Sequence, residues 1–239
     1  MANDNKKGFN TNSNVYTIVY STILVIVVAF LLAFVYQVLK DRQDANVALD
    51  KKKQILYALD IRGLSDSEAA EKYKEVVLRD DVLNLNGTFE IAKEGNENHG
   101  FKLNSADYKK GMLALFVCNI DGAKKYVIPV YGMGLWGPIS GYIAINDDKQ
   151  TVYGAYFNHE SETAGLGAEI KDSKAWQDLF KGKKIFTGTG AVGLGVVKNP
   201  SNEECQVDAV TGATLTSNGV NDMLQEGIGK YVKFLKGNK

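Results

Sequence analysis

The 239-residue chain is 45% hydrophobic and 23% charged, with 28 basic side chains balanced by 28 acidic ones. That composition excludes wholesale disorder and collagen-like or disulfide-scaffold classes, and the balance supplies no basic face for nucleic acid. Two scattered histidines and two cysteines are too few for a zinc or iron–sulfur site built by this chain alone.

Residues 1–14 are polar and Asn-rich and read as a tail. From Val15 to Leu39 there is no charged residue, and as a helix those 25 positions span ~37 Å, enough for a ~30 Å hydrocarbon core with some tilt. Tyr16, Tyr20 and Tyr36 lie near its ends, at headgroup level. A cleaved signal peptide has a shorter apolar region followed by small residues; here Tyr36-Gln37-Val38-Leu39-Lys40 follows. The span over 15–39 is therefore expected to be a retained anchor in a lipid bilayer. Lys40, Arg42 and Lys51 to Lys53 outnumber Lys6 and Lys7. Counted alone, they put the following domain in the cytoplasm, although a long domain translocates largely regardless of such charges.

Ala48, Leu49, Ile55, Leu56 and Leu59 recur at helical spacing, so residues 40–80 are expected to form a helical stalk. Gly63 ends its first helix. Ser65 to Leu78 reads as a second, with Ser65 as N-cap and Glu68 three positions on. Residues 81–239 are then one globular domain, large enough for a single core. Leu113 to Ile120 and Lys125 to Val130 flank Asp121-Gly122, a hairpin turn signal. Ile139 to Ile145 and Thr151 to Phe157 flank Asn146-Asp147-Asp148-Lys149, a second hairpin. A short helix over Asp172 to Phe180 follows, then a strand over Leu194 to Val197 closed by Asn199-Pro200. A last helix over Asn218 to Leu235 lines up Val220, Met223, Leu224, Ile228, Tyr231 and Leu235 on one face. The expected class is α+β: one N-terminal transmembrane helix, then a domain with a mainly antiparallel sheet and flanking helices.

Three motifs carry candidate chemistry. Gly188, Gly190 and Gly193 spell G-x-G-x-x-G, but the strand-like Leu194-Gly195-Val196-Val197 follows where a dinucleotide site needs a helix. A glycine-rich turn is expected there. His159, Glu160 and Glu162 offer acid–base groups without a nucleophile beside them and read as a solvated loop; no catalytic residue is assigned. Cys118 lies in an apolar run and is expected to be a buried thiol, Cys205 lies in a polar one, and their pairing is left open. The third motif is Asp208-Ala209-Val210-Thr211-Gly212-Ala213-Thr214-Leu215-Thr216-Ser217, a hydroxyl-rich loop before the last helix. Thr216, Ser217 or Asn218 can supply the N-cap. A helix start also stabilises a phosphate, and Gly212 and Ala213 leave the Thr214 hydroxyl sterically open.

Asp208-x-x-Thr211-Gly212-Ala213-Thr214 resembles the flavinylation motif of the FMN-binding domain family. Leu215-Thr216-Ser217-Asn218-Gly219-Val220, Gly134-Leu135-Trp136 before Gly141-Tyr142, and Glu162-Thr163-Ala164-Gly165-Leu166-Gly167 are similar to the C subunits of Na+-translocating NADH:quinone reductases within that family. With the anchor and stalk, the resemblance covers nearly the whole chain. One departure is Ala164, where the family commonly has proline; losing a fixed φ leaves that loop less pre-organised.

The resemblance implies an electron carrier in a six-subunit, Na+-pumping membrane NADH:quinone oxidoreductase. FMN would be held by a phosphoester on Thr214, installed by a separate flavin transferase that uses FAD and a metal ion, with Asp208 in the pattern the transferase reads. The ring would rest near Leu135, Trp136, Glu162, Thr163 and Leu166, with Gly165 and Gly167 permitting close approach. Thr211, Gly212, Ala213, Leu215 and Thr216 would surround the attachment point. Lys198 is a candidate on its charge alone: a cation near the ring would favour the reduced, anionic flavin. The resemblance also implies a domain on the periplasmic side of a bacterial inner membrane. The alternatives are the G subunit of an Rnf-type ferredoxin:NAD+ oxidoreductase, which shares anchor and motif, and a membrane-anchored binding module without redox function.

Overall fold

The structure, a computed structural model, describes residue 11 and residues 13–85, 89–90 and 99–237. Most of the tail expected over 1–14 lies outside the described residues. The chain divides into two compact units, Met1–Ala48 and Leu49–Lys239.

The first unit is the N-terminal part of helix α1 (Asn14–Ala58). Its apolar side chains face outward, Phe30 at 70% and Leu32 at 66% exposure. Among the described residues it is the one helix long and apolar enough to cross a membrane. Backbone amides in lipid must be satisfied within the segment, and an unbroken helix does so.

The second unit begins with the last turns of α1, where Ile55, Leu56 and Ala58 are buried. After Gly63, in the left-handed region at φ +76, comes α2 (Asp66–Val76). The expected capping box is present: the Ser65 side chain accepts from Glu68 N while Glu68 Oε2 accepts from Ser65 N at 2.8 Å. Helix α2 stops before the expected Leu78, because Val77 is extended and opens strand β1 (Val77–Asn84). The boundary expected at 80/81 thus falls inside a strand.

Beyond β2 (Phe89–Glu90) and α3 (Ser105–Lys109) come β3 (Met112–Ile120), β4 (Ala123–Met133), β5 (Pro138–Asn146) and β6 (Val152–His159). All pair antiparallel in the order β2-β1-β3-β4-β5-β6. Both expected hairpins are present. Asp121 (φ 51) and Gly122 (φ 81) are both left-handed, the turn whose twist matches its strands. Strands β1 and β2 and helix α3 were not expected from the sequence.

Successive strand residues face opposite sides, so the Tyr142–Tyr156 and Gly141–Phe157 pairs lie on different faces. The end of α1 covers the first: Tyr57 packs edge-on to Tyr156 with ring centroids 5.2 Å apart. The other face carries α6 (Thr214–Lys230), where Gly227 lies over Val130 and Met223 over Gly132. Phe157, on that face, joins Trp176 and Phe180. The result is helix on sheet on helix, with the core on both faces.

Where one helix was expected over Asp172 to Phe180 there are two, α4 (Glu169–Asp172) and α5 (Lys174–Asp178). Ser173 turns extended between them and caps α5, accepting from Trp176 N at 3.2 Å. Strand β7 (Gly195–Val197) pairs parallel with β8 (Gln206–Asp208); the strand preceding the threonine loop was missed. Gly188 and Gly190 lie in a turn closed by the Phe186–Val192 bridge, as expected for strand-to-strand chain. The last helix begins at Thr214, earlier than Asn218, and breaks at Tyr231 before α7 (Val232–Lys236). Its six expected core residues are all buried. Cys118 and Cys205 are both buried and unpaired, so the polar setting of Cys205 in sequence misreports its burial.

Candidate functional site

Three loops converge beside the start of α6. The first joins β4 to β5: Gly134 N donates to Gly137 O at 2.8 Å, and the tight turn throws Leu135 and Trp136 outward, 47% and 67% exposed.

The second follows β6. Leu166 N donates to Thr163 O at 3.1 Å, with Gly165 at φ +72. That is the pattern of a type II turn, whose second position favours proline and whose third favours glycine. Ala164 stands at the proline position; the closing bond and the glycine hold the turn without it.

The third loop is the threonine motif. Gly212 at φ +78 and Ala213 N donating to Val210 O at 3.1 Å turn the chain into α6. Thr216, Ser217 and Asn218 are not the cap, contrary to expectation. Ala213 takes that place without a side-chain hydrogen bond. The reason is prior commitment: Thr216 Oγ1 donates to Glu162 Oε2 at 2.6 Å, and Ser217 Oγ accepts from Val210 N at 3.0 Å. The helix therefore presents first-turn N–H groups without a side-chain cap, and its Thr214 side chain is exposed.

Between the loops lies a cleft of about 150 Å³. Leu135 and Trp136 form one side, Glu162, Thr163, Leu166 and Gly167 another, and Gly212, Ala213, Leu215 and Thr216 the third. Ten of the residues expected around a flavin are thus brought together from three distant segments. Thr211, Thr214 and Gly165 belong to the same loops but not to the cleft lining. Asp208 is exposed at the end of β8, its carbonyl accepting from Trp176 Nε1 at 2.8 Å. Lys198 is exposed just beyond β7, also outside the lining.

Glu162 is the buried polar centre of the cleft, 8% exposed. Its Oε1 accepts from Trp136 N at 2.9 Å. Burial pushes its carboxyl up, but donation from Thr216, Trp136 and Gly137, with His159 nearby, outweighs this and leaves it below the usual range. His159 Nδ1 accepts from Glu162 N at 3.2 Å. The trio read as solvated loop thus includes one structural carboxylate, missed because its partners are 26 and 54 positions away.

A larger hollow of about 580 Å³ lies elsewhere, bounded by Tyr108 of α3, Tyr131, Asn158 and His159 of the sheet, and Asp222 and Glu226 of α6. It shares no lining residue with the cleft. No group of three or more metal-ligating side chains occurs among the described residues.

A family model described as "FMN-binding domain" matches residues 134–229, which contain all three loops. The C subunit of the Na+-translocating NADH-quinone reductase from Haemophilus ducreyi is 30% identical over 95% of this chain and 96% of its own. The chain belongs to that family of C subunits. The counterpart from Vibrio vulnificus is 33% identical over 76% of this chain and 78% of its own. The crystal structure of the counterpart from Parabacteroides distasonis superposes with a TM-score of 0.76 at 38% identity, covering 84% of this chain and 98% of that one. The α+β architecture is thus the fold of this family. Its members are subunits of an oxidoreductase complex, and the FMN-binding domain coincides with the cleft-bearing part of the chain.

The cleft suits a flavin on its own features. Leu135, Trp136, Leu166 and Leu215 hold apolar side chains open to solvent around one cleft, a surface an apolar ring can cover. A Cβ on Gly212 would approach Leu166 Cδ2 to 3.0 Å, and one on Gly167 would strike Glu162 Oε2. The space is kept clear by residues without side chains.

Proposed function

We propose that this chain is an electron-relaying subunit of a membrane NADH:quinone oxidoreductase that pumps Na+, carrying FMN as a phosphoester on Thr214. The observation that carries this reading is the exposed Thr214 side chain, set at an uncapped helix start beside a cleft walled by the three loops. In attachment, the Thr214 oxygen bonds to the FMN phosphorus of FAD, the pyrophosphate bond breaks, AMP leaves, and the hydroxyl proton passes to solvent. A flavin transferase with its metal ion performs this step, reading Asp208 and Thr211 to Thr214. Once bound, FMN supplies the redox chemistry.

The chain's own residues do the rest. The first-turn N–H groups of α6 and the helix dipole bind phosphate. Leu135, Trp136, Leu166 and Leu215 bind the apolar ring, while Gly165 and Gly167 admit it. Lys198 contributes positive charge at longer range. An ester makes retention independent of affinity, so a shallow, open site suffices for electron exchange with neighbouring subunits. The span over 15–39 anchors the chain in the bacterial inner membrane with the domain on the periplasmic side, within a six-subunit assembly.

The test is a denaturing gel under ultraviolet light on the full-length chain made with its transferase. A fluorescent band is expected, absent in Thr214→Val. Mass spectrometry of the tryptic peptide Asn199–Lys230 should show the mass of FMN less water. An unmodified peptide from transferase-containing cells overturns the attachment and favours a binding module, while co-purification with ferredoxin:NAD+ oxidoreductase subunits overturns the assignment of complex.

A further inference from the structure

We propose that Glu162 is the positioning residue of the flavin site: it ties the Trp136 turn to the first turn of α6 and leaves a fixed negative charge beside the cleft that holds ring reduction at a more negative potential. This role rests on the proposed flavin site and gives one of its lining residues a task other than contact.

Both carboxylate oxygens are already committed to the protein. Oε1 accepts from Trp136 N at 2.9 Å and Oε2 from the Thr216 hydroxyl at 2.6 Å. A carboxylate accepts and cannot donate, so it offers a ring carbonyl nothing. What it does is join two segments that the chain itself separates by about 80 residues (136 to 216). Glycines line its slot: a Cβ on Gly134 would collide with Oε1, and one on Gly167 would come within 2.5 Å of Oε2. Both positions exclude a side chain while the carboxylate stays where it is.

No described lysine or arginine offsets the charge at close range. Among the described residues no lysine or arginine forms an ion pair with Glu162, and its neighbour His159 accepts the Glu162 N–H through Nδ1. Two donated hydrogen bonds keep the carboxylate ionised in a poorly solvated place. Reduction of the ring by two electrons with uptake of one proton adds one negative charge beside it. Like charges across a partly desolvated gap repel more than in water, so this carboxylate disfavours the reduced form and makes the bound flavin a stronger donor.

The experiment is a mediated electrode titration of flavin-loaded, full-length chain in detergent, in which the electrode supplies the electrons. Glu162→Gln keeps the size and most hydrogen bonds but removes the charge. At a fixed potential the ratio of reduced to oxidised flavin is expected to rise about tenfold, which is about 30 mV for a two-electron couple. Thr216→Val and Glu162→Asp keep the charge and disturb the tie, so neither should move the potential upward, and both should lower the anisotropy of flavin fluorescence. A Gln variant at the wild-type potential, or Val and Asp variants shifted upward equally, overturns the charge role.

A second measurement needs no flavin. In chain made without transferase, Glu162→Ala should lower the thermal midpoint more than Glu162→Gln, because the Trp136 N–H and the Thr216 hydroxyl lose their acceptor. Equal midpoints for Ala and wild type overturn the tie. Wild-type chain lacking covalent flavin despite the transferase defeats the attachment reading instead, while the flavin-free melting still judges the tie.

Discussion

The indole N–H of Trp176 donates to the backbone carbonyl of Asp208 at 2.8 Å, across 32 positions of sequence. Trp176 is held by Phe157 and Phe180, so this bond fixes the start of the threonine motif to the aromatic core. Trp176→Phe retains most of the packing and removes the donor. A loss of about 1–3 kcal/mol is expected, read from urea unfolding, together with slower flavin labelling at limiting transferase because the Asp208 segment loses its anchor.

Gly212 combines a left-handed backbone with a close neighbour. At φ +78 an alanine pays roughly 1 kcal/mol or more in strain, and its Cβ meets Leu166 Cδ2 at 3.0 Å. Gly212→Ala should therefore be less stable to urea, and should narrow the cleft enough to reduce flavin incorporation in a pulse of transferase. Gly182, also left-handed at φ +77 but with open space around the Cβ position, provides the control. Gly182→Ala should pay the strain and leave labelling unchanged.

Lys51 carries a pH dependence of known sign. Burial pushes its pKa down from 10.5 to about 8, only partly offset by Asp80. Its ammonium donates to the carbonyls of Phe101 and Leu103 and lies 5.0 Å from the Phe101 ring centre. Between about pH 8 and 10.5 the unfolded chain binds more protons at this site than the folded one, so the Lys51 contribution to stability rises with pH there. Lys51→Met should remove that rise, which the difference between wild-type and variant unfolding free energies from pH 7 to 10 will show.

The Ser65 capping box should be measurable alone. Ser65→Ala removes the side chain that accepts from Glu68 N and donates to Glu68 Oε2 at 2.6 Å. A cost of about 0.5–2 kcal/mol is expected, seen as a lowered thermal midpoint. Glu68 sits below the usual carboxylate range because the Ser65 hydroxyl and N–H both donate to it. The stability this provides is present above the ordinary glutamate pKa and should fade as the pH falls through the lowered one.

What the sequence disclosed was local. The 121–122 turn, the Ser65 box and the buried stripe from Val220 to Leu235 each depend on neighbours a few positions apart, and each is where its pattern puts it. Strand β1 escaped notice because Arg79, Asp80 and Asp81 break its alternation. Asp80 and Asp81 are nonetheless fully buried, and Asp80 Oδ2 accepts the N–H groups of His99 and Phe101 at 3.1 and 2.7 Å. The start of α6 was misplaced for a related reason: Thr216 and Ser217 look like caps, but their hydroxyls are spent on Glu162 and Val210. Of the cleft, the lining could be named through resemblance. Glu162 was among the residues so named, but its task of joining the walls was not legible, since short-range spacing carries no trace of a bond between residues 162 and 216.

Cys118 and Cys205, the only sulfhydryls in the chain, are sealed inside the domain. Burial also suppresses the reactive thiolate at both. The folded chain is therefore expected to keep both thiols free when its surroundings turn oxidising, with neither an internal cross-link nor a disulfide-linked dimer.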